Sequence, residues 1–391
     1  MGPIRAGVIV LLLALGCRSS NRHEDSSPRV GPAATPGAAD FWAEQKATKS
    51  PPGPLSRALA AAVPEVAPPV EDGEARRLSE QTALAMMSTE QGLVAVLSQE
   101  EGPAKVVRFV DGGVTELGHA PGRKPRLLAL GELLLVNSSE GLFRYPAKGA
   151  SLHRGDIAAA AVDGDGVIFA ECSDDGPCRL LRWSAKTSAV RPFVDRELDV
   201  VHAIAVWGDR IVVAGRERDP REGKAPSAAA KAEQVRFLTK GGRVPGSMPY
   251  APGFIVQFER DTRHRTRTVF ETHRPVDLGV PTPDAPLLYV LTEGTPDRLF
   301  SDGALLQMDA ECELKVLAKD LGQPDSLSVT PDRVCWVAMP GSHFDVGCHE
   351  RSEGTNSVVI RQSMNLMAFA DEGDALAYSV LMEGVFRQLP R

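Results

Sequence analysis

Aromatic residues are scarce, 5% of 391 positions, while hydrophobic residues reach 43%, so any core must be built mainly from aliphatic side chains. A basic excess is also missing. The chain carries 44 Lys and Arg against 51 Asp and Glu, a formal charge of −7, which argues against nucleic acid as a partner. No apolar run is long enough to cross a bilayer as a helix, which takes about 20 residues; Val8–Leu15 has eight. Beyond residue 70 there is almost no sustained helical periodicity, which sets aside helix bundles and helical solenoids. The chain has no G-x-x-x-x-G-K-[ST], G-x-S-x-G or H-E-x-x-H string and no complete EF-hand loop. The phosphate, acyl-transfer and metal chemistries that these motifs serve therefore have no support, and no cofactor is expected.

What the chain does have is a repeat. Four mainly apolar residues after a turn recur from Leu93, Leu133, Val167, Ile211, Leu287, Val334 and Leu376, at steps of 40, 34, 44, 76, 47 and 42. A second series runs in phase with it: two apolar residues, then Arg or Gln. Its members are Val106–Arg108, Leu142–Arg144, Leu180–Arg182, Ile255–Gln257, Leu305–Gln307, Val359–Arg361 and Val385–Arg387. Small residues precede several members of the first series, as in Ala83–Met86, Ala159–Val162 and Ala203–Val206, and suit an innermost strand crowded around an axis. Repeats of about 40–45 residues carrying about four short strands mark β-propeller blades. Residues 71–391 are thus expected to form an all-β propeller of seven blades, with six or eight as alternatives. The pattern resembles bacterial propellers of periplasmic and surface proteins. The last repeat ends after its third strand, so the segment around Ala75–Ser79 is expected to supply the fourth, beside Gly384–Leu389.

The N-terminus reads as an address. Arg5, the run Val8–Leu15 and a small residue before Cys17 fit a secretory signal peptide over residues 1–16. Ala14-Leu15-Gly16-Cys17 resembles the lipobox of bacterial lipoproteins, although Ala14 stands where Leu is usual. The resemblance implies lipidation at Cys17. Arg18 in place of Asp favours the outer membrane over the inner. Residues 17–70 follow as a linker; from 18 to 70 they hold nine Pro and eleven Ala, a composition expected to stay unfolded, with a short helix around Phe41–Lys46 or Leu55–Val63 as the weaker alternative.

Of the remaining cysteines, Cys172 with Cys178 and Cys335 with Cys348 are the expected disulfides of an oxidising compartment, and Cys312 is an alternative partner in the second pair. Asp163-Gly164-Asp165-Gly166 is stronger as a hairpin turn than as a calcium loop. His343, Asp345 and His349 are expected in a solvated loop and not around a metal. Loops joining second and third strands are expected to be long at 215–252, 292–303 and 339–356. The first holds Arg216, Arg218, Arg221, Lys224, Lys231, Arg236, Lys240 and Arg243 against four acidic residues, and is the candidate for partner binding. The function expected is a lipid-anchored, non-catalytic binding or scaffold module for an envelope protein or an anionic cell-wall or lipid polymer. A propeller hydrolase or lactonase with a site at the channel mouth is the alternative, and a purely structural surface component the third.

Overall fold

The structure, a computed structural model, describes residues 54–68, 75–110, 113–146, 150–173, 177–218, 251–262, 265–270, 272–295 and 300–388. It begins with a short helix, α1 (Pro54–Leu59), and two short strands, β1 (Val66–Ala67) and β2 (Ala75–Ser79). Seven four-stranded antiparallel meanders follow. Blade 1 is β3 (Ala83–Thr89), β4 (Gly92–Leu97), β5 (Ala104–Val110) and β6 (Gly113–Ala120); blade 2 is β7 (Arg126–Leu130), β8 (Leu133–Ser138), β9 (Gly141–Tyr145) and β10 (Ala150–His153). Blade 3 is β11 (Ile157–Asp163), β12 (Gly166–Cys172), β13 (Cys178–Ser184) and β14 (Ala189–Leu198); blade 4 is β15 (Val200–Trp207), β16 (Arg210–Arg216), β17 (Gly253–Glu259) and β18 (Arg265–Phe270). Blade 5 is β19 (Arg274–Gly279), β20 (Leu288–Glu293), β21 (Ala304–Met308) and β22 (Leu314–Lys319); blade 6 is β23 (Ser326–Val329), β24 (Arg333–Ala338), β25 (Phe344–Glu350) and β26 (Thr355–Gln362). Blade 7 combines β27 (Leu366–Asp371), β28 (Leu376–Val380) and β29 (Gly384–Gln388) with β2 on its outer edge. The architecture is a seven-bladed β-propeller. The first strand of each blade touches the first strand of the next, and β27 touches β3, which closes the ring.

The seven apolar runs are the second strands of the blades. Each second strand lies between two others with blades packed on both faces, so both of its faces are buried, and Leu93–Val96 or Ile211–Ala214 have no exposed side chain. The core divides into seven apolar clusters, one between each pair of neighbouring blades. The Arg or Gln of the second series clamps the turn between the first two strands, or the strand beside it. Arg182 Nε lies 3.1 Å from Asp163, Arg387 holds Glu372 through two hydrogen bonds of 2.7 Å, and Gln257 accepts from Arg210 at 3.2 Å.

Blade 6 departs from the sequence expectation. Val359–Arg361 lies in its fourth strand, and the third strand is β25, whose FDVGCHE lacks the signature. The loop between second and third strands there is 339–343 and not 339–356. The cause is Trp336: its indole fills the space where a Cβ on Gly347 would stand, 2.5 Å away, so the position facing it on β25 must be bare. Asp345 and His349 are consequently buried on a strand and not solvated in a loop.

The closing strand lies where it was expected. Ala75, Arg76 and Arg77 pair antiparallel with Gln388, Arg387 and Phe386. Residues 54–68, expected within the linker, instead pack on the propeller. Leu55 and Ala58 of α1 bury in the cluster between blades 4 and 5, β1 adds to β26 as a parallel fifth strand, and Asn356 donates to Pro64 O at 3.2 Å. Both expected disulfides join directly opposed residues of second and third strands, Cys172 to Cys178 and Cys335 to Cys348. Cys312 is a free thiol, and its sulfur accepts a hydrogen bond from Gln257.

Candidate functional site at the channel mouth

In each meander the first strand starts, and the second ends, on the same face of the ring. That face carries the loops between second and third strands. Cys17 lies outside the described residues, as do Arg221, Lys224, Lys231, Arg236, Lys240 and Arg243 of the long loop in blade 4. Its two ends are described. Arg216 closes β16, half-buried, and donates to Glu217 O at 3.4 Å; Glu217 pairs with Arg267, which also lies over the ring of Phe254. Arg218 is half-buried beside them.

Four basic residues stand on this face around the channel. Arg126 opens β7 and Lys124 precedes it, both exposed. Arg216 lies opposite Val200 at the start of β15, and Arg274 opens β19 opposite Glu293. Arg274 bonds Glu293 at 3.2 Å and Ala251 O at 3.1 Å. Among them sits His202, at a bulge between Val201 and Ala203 of the innermost strand of blade 4. Bulges at the same place in the first strands of blades 1, 3, 5 and 7 show that this is a property of the ring, which re-aims one residue per strand there.

The electrostatics follow. Burial first, and then Arg216, Arg274, Arg126 and Lys124, push the His202 imidazole down to about 4, so it is neutral at physiological pH. Burial holds the Glu293 carboxyl above its ordinary value, opposed by Arg274 and Arg216. Deeper in the channel the Asp277 carboxylate accepts from Leu278 N at 2.9 Å and from Leu327 N of the next blade at 3.0 Å; burial raises it and Arg126 opposes. Arg126 therefore acts on groups in blades 4 and 5 from blade 2, across the channel.

A titration prediction follows from His202. Its folded pKa lies below the unfolded value near 6.5, so between pH 6.5 and 4 the unfolded chain binds a proton that the native chain does not. Stability then falls as pH drops through that window, by up to about 3 kcal/mol. His202→Gln is expected to flatten that part of a stability-against-pH curve from denaturant melts; an unchanged curve would show that His202 does not cause the loss.

Other candidate groups are committed to structure. The Asp163 carboxylate is buried between Arg182 and Arg260, and Asp165 faces Ser184, so the Asp-Gly-Asp-Gly string is the β11–β12 turn. Asp345 holds Arg361 through bonds of 2.8 and 2.7 Å, with His343 at 3.6 Å, and His349 bonds Asn356 at 2.8 Å. In blade 3, Glu171 joins His153 at 2.9 Å and Arg179 at 2.8 Å. Among the described residues no three His, Cys, Asp or Glu are placed to hold a metal. Of the basic mouth the sequence pointed only to Arg216, as part of the long loop; Lys124, Arg126, Arg274 and His202 were missed because they come from β7, β15, β19 and the turn before β7, with no spacing that links them.

No protein-family model matches the chain, and no curated protein matches it. Solved structures do. A chain of the mitotic checkpoint complex superposes with a TM-score of 0.52 at 11% identity, covering 84% of this chain and 98% of that one. The computationally designed Ika8 protein gives 0.49 at 12% identity over 83% and 100%. The first of these likenesses extends to the fold alone.

Proposed function

We propose that this propeller is a lipid-anchored envelope binding module, held at Cys17 and presenting its long-loop face to an anionic partner protein or polymer. One observation carries the reading: on a chain of net charge −7, Lys124, Arg126, Arg216 and Arg274 gather on the face that also bears the long basic loop. A channel-mouth hydrolase would want convergent free carboxylates or histidines there; among the described residues cations surround His202, while Glu293 is held by Arg274 and Asp277 by two backbone N–H groups. Outer-membrane attachment rests on the lipobox-like Ala14–Cys17 and on Arg18.

Deleting Glu217–Gly246 with the ends bridged is expected to leave the melting temperature nearly unchanged and to abolish recovery of a partner from native envelope extract at low salt. Cys17→Ser is expected to move the protein from membranes to the soluble periplasmic fraction. Undiminished partner recovery would overturn the binding role, and retention in membranes would overturn the anchor.

A further inference from the structure

Residues 54–68 form a strap on the side of the ring. α1 anchors it, with Leu55 and Ala58 buried in the cluster between blades 4 and 5. Its other end enters the lateral groove between blades 5 and 6, where β1 pairs with β26 at two positions, Val66 opposite Asn356 and Ala67 opposite Ser357. The ladder stops there for two reasons. Pro68 follows and has no N–H to donate, and β26 bulges at the next residues, opposite Val346 and Gly347. The groove also carries a side chain that reads the strap's backbone. Asn356 is buried, with its amide oxygen bonded to His349 Nδ1 at 2.8 Å. Of its two N–H groups, one donates to Leu317 O of blade 5 at 2.7 Å and the other to Pro64 O at 3.2 Å.

The strap matches the groove in its backbone and underfills it in its side chains. On one flank a cavity of about 520 Å³ lies between the strap and Leu321, Trp336, Ala338 and Val358. On the other flank a cavity of about 210 Å³ lies between Pro64 and Tyr289, Leu317 and His349. Val66 packs against the cluster of blades 5 and 6 and is only partly buried. Charge does not select what fills the larger cavity. Lys319 and Arg361 line it together with Glu65, Asp320 and Asp345, and Arg361 is already held by Asp345 through two hydrogen bonds. Apolar volume is what the strap leaves unused.

We propose that the lateral groove between blades 5 and 6 is a docking site for an extended segment of a partner protein, with the strap as its internal competitor. The partner segment adds in parallel to β26, gives one carbonyl to Asn356, and sets a large apolar side chain such as Phe where the strap has Val66. In strand addition of this kind the main chain supplies affinity and the pocket for a side chain supplies selectivity. α1 holds the strap beside the groove at high effective concentration, so a partner displaces it only by making contacts the strap lacks. The cavity beside Trp336 provides them. This site is separate from the long-loop face and does not rest on the role proposed for that face.

The spare volume is tested first within the chain. Val66→Phe in the full protein is expected to raise the melting temperature by about 2 °C or more, because the ring enters space the strap leaves empty. A lowered melting temperature means overpacking and overturns the proposal. Binding is then followed by fluorescence anisotropy with two labelled peptides, the sequence Ala61–Pro68 and its Val66→Phe version. Both are titrated into the full chain and into Leu55→Asp/Ala58→Asp, which unseats the anchor. The Phe peptide is expected to bind about tenfold more tightly than the Val peptide. The anchor variant should bind both about tenfold more tightly than the parent, and adding Asn356→Ala should weaken both about fivefold. Deleting Glu217–Gly246 should leave peptide binding unchanged, so this proposal and the role of the long-loop face fail separately. A Phe peptide that binds no better than the Val peptide, or binding indifferent to Asn356→Ala, makes the strap a structural clasp and overturns the proposal. Dimerisation of the anchor variant without any gain from Phe assigns the groove to the strap of a second copy, and overturns it as well.

Discussion

Ending the chain before Gly384 is expected to remove the cooperative melt of the whole propeller, a loss of at least about 5 kcal/mol, comparable with the entire stability of many domains. The truncation removes β29, which lies between β28 and β2, so β2 loses the strand it pairs with among the described residues and β28 becomes an open edge. Val385, fully buried, leaves the cluster that joins blade 7 to blade 1. Other ties across the seam depend on the same turn and strand, including Met382 N donating to Thr82 Oγ1 at 3.0 Å and Ala83 N donating to Ser379 Oγ at 2.8 Å. Gly384→Ala is a gentler probe of the closure. Gly384 has φ 111°, and a Cβ there would stand 2.0 Å from Ser79 O, so the substitution is expected to cost about 2 kcal/mol or more. A full, unshifted calorimetric transition in the truncated chain would mean that the blades do not depend on closure.

The second large effect is expected at Asp371. Its side chain is fully buried and accepts from Arg333 Nε at 2.7 Å and Nη2 at 2.6 Å, joining the second strand of blade 6 to the innermost strand of blade 7. Asp371→Ala leaves the guanidinium buried without its counter-ion and is expected to cost about 3–5 kcal/mol. Adding Arg333→Met should recover a good part of that, since the penalty lies in the unpaired charge and not in the absence of the pair. By contrast Lys105 and Glu116, both well exposed at 3.5 Å, should contribute well under 1 kcal/mol when either is truncated. Denaturant melts of the two singles and the double decide the matter. A double variant as unstable as Asp371→Ala alone would place the cost in packing.

The ring was legible in the sequence because its second strands are buried on both faces and therefore read as unbroken apolar runs. The closure was legible because the last repeat is one strand short. Blade 6 was read one strand late, since Gly347 replaces a bulky residue beneath Trp336 and the repeat's arginine sits on β26, reaching back to Asp345. The short helix at Pro54–Leu59 overlaps the option named over Leu55–Val63, but its packing on the propeller was masked by composition. Leu55 and Ala58 bury, but two apolar positions amid Pro and Ala give no periodicity to detect. The mouth is a product of tertiary arrangement. His202 in isolation is an ordinary histidine, and only closing blades 2, 4 and 5 around it surrounds it with positive charge.

The pairing of β2 with β29 also sets an order of events. Within the ring, β2 is made before the strands of all seven meanders and its partner β29 after them, so the ring cannot close until β29 has been made. Throughout that interval Ala75–Ser79 is an unpaired edge in search of a partner, and its sequence ARRLS offers two arginines where an apolar strand would invite pairing with another chain. Once Phe386 is in place, the same Arg77 lies over its ring at 5.9 Å. One residue thus keeps the waiting edge soluble and later helps to hold the finished seam.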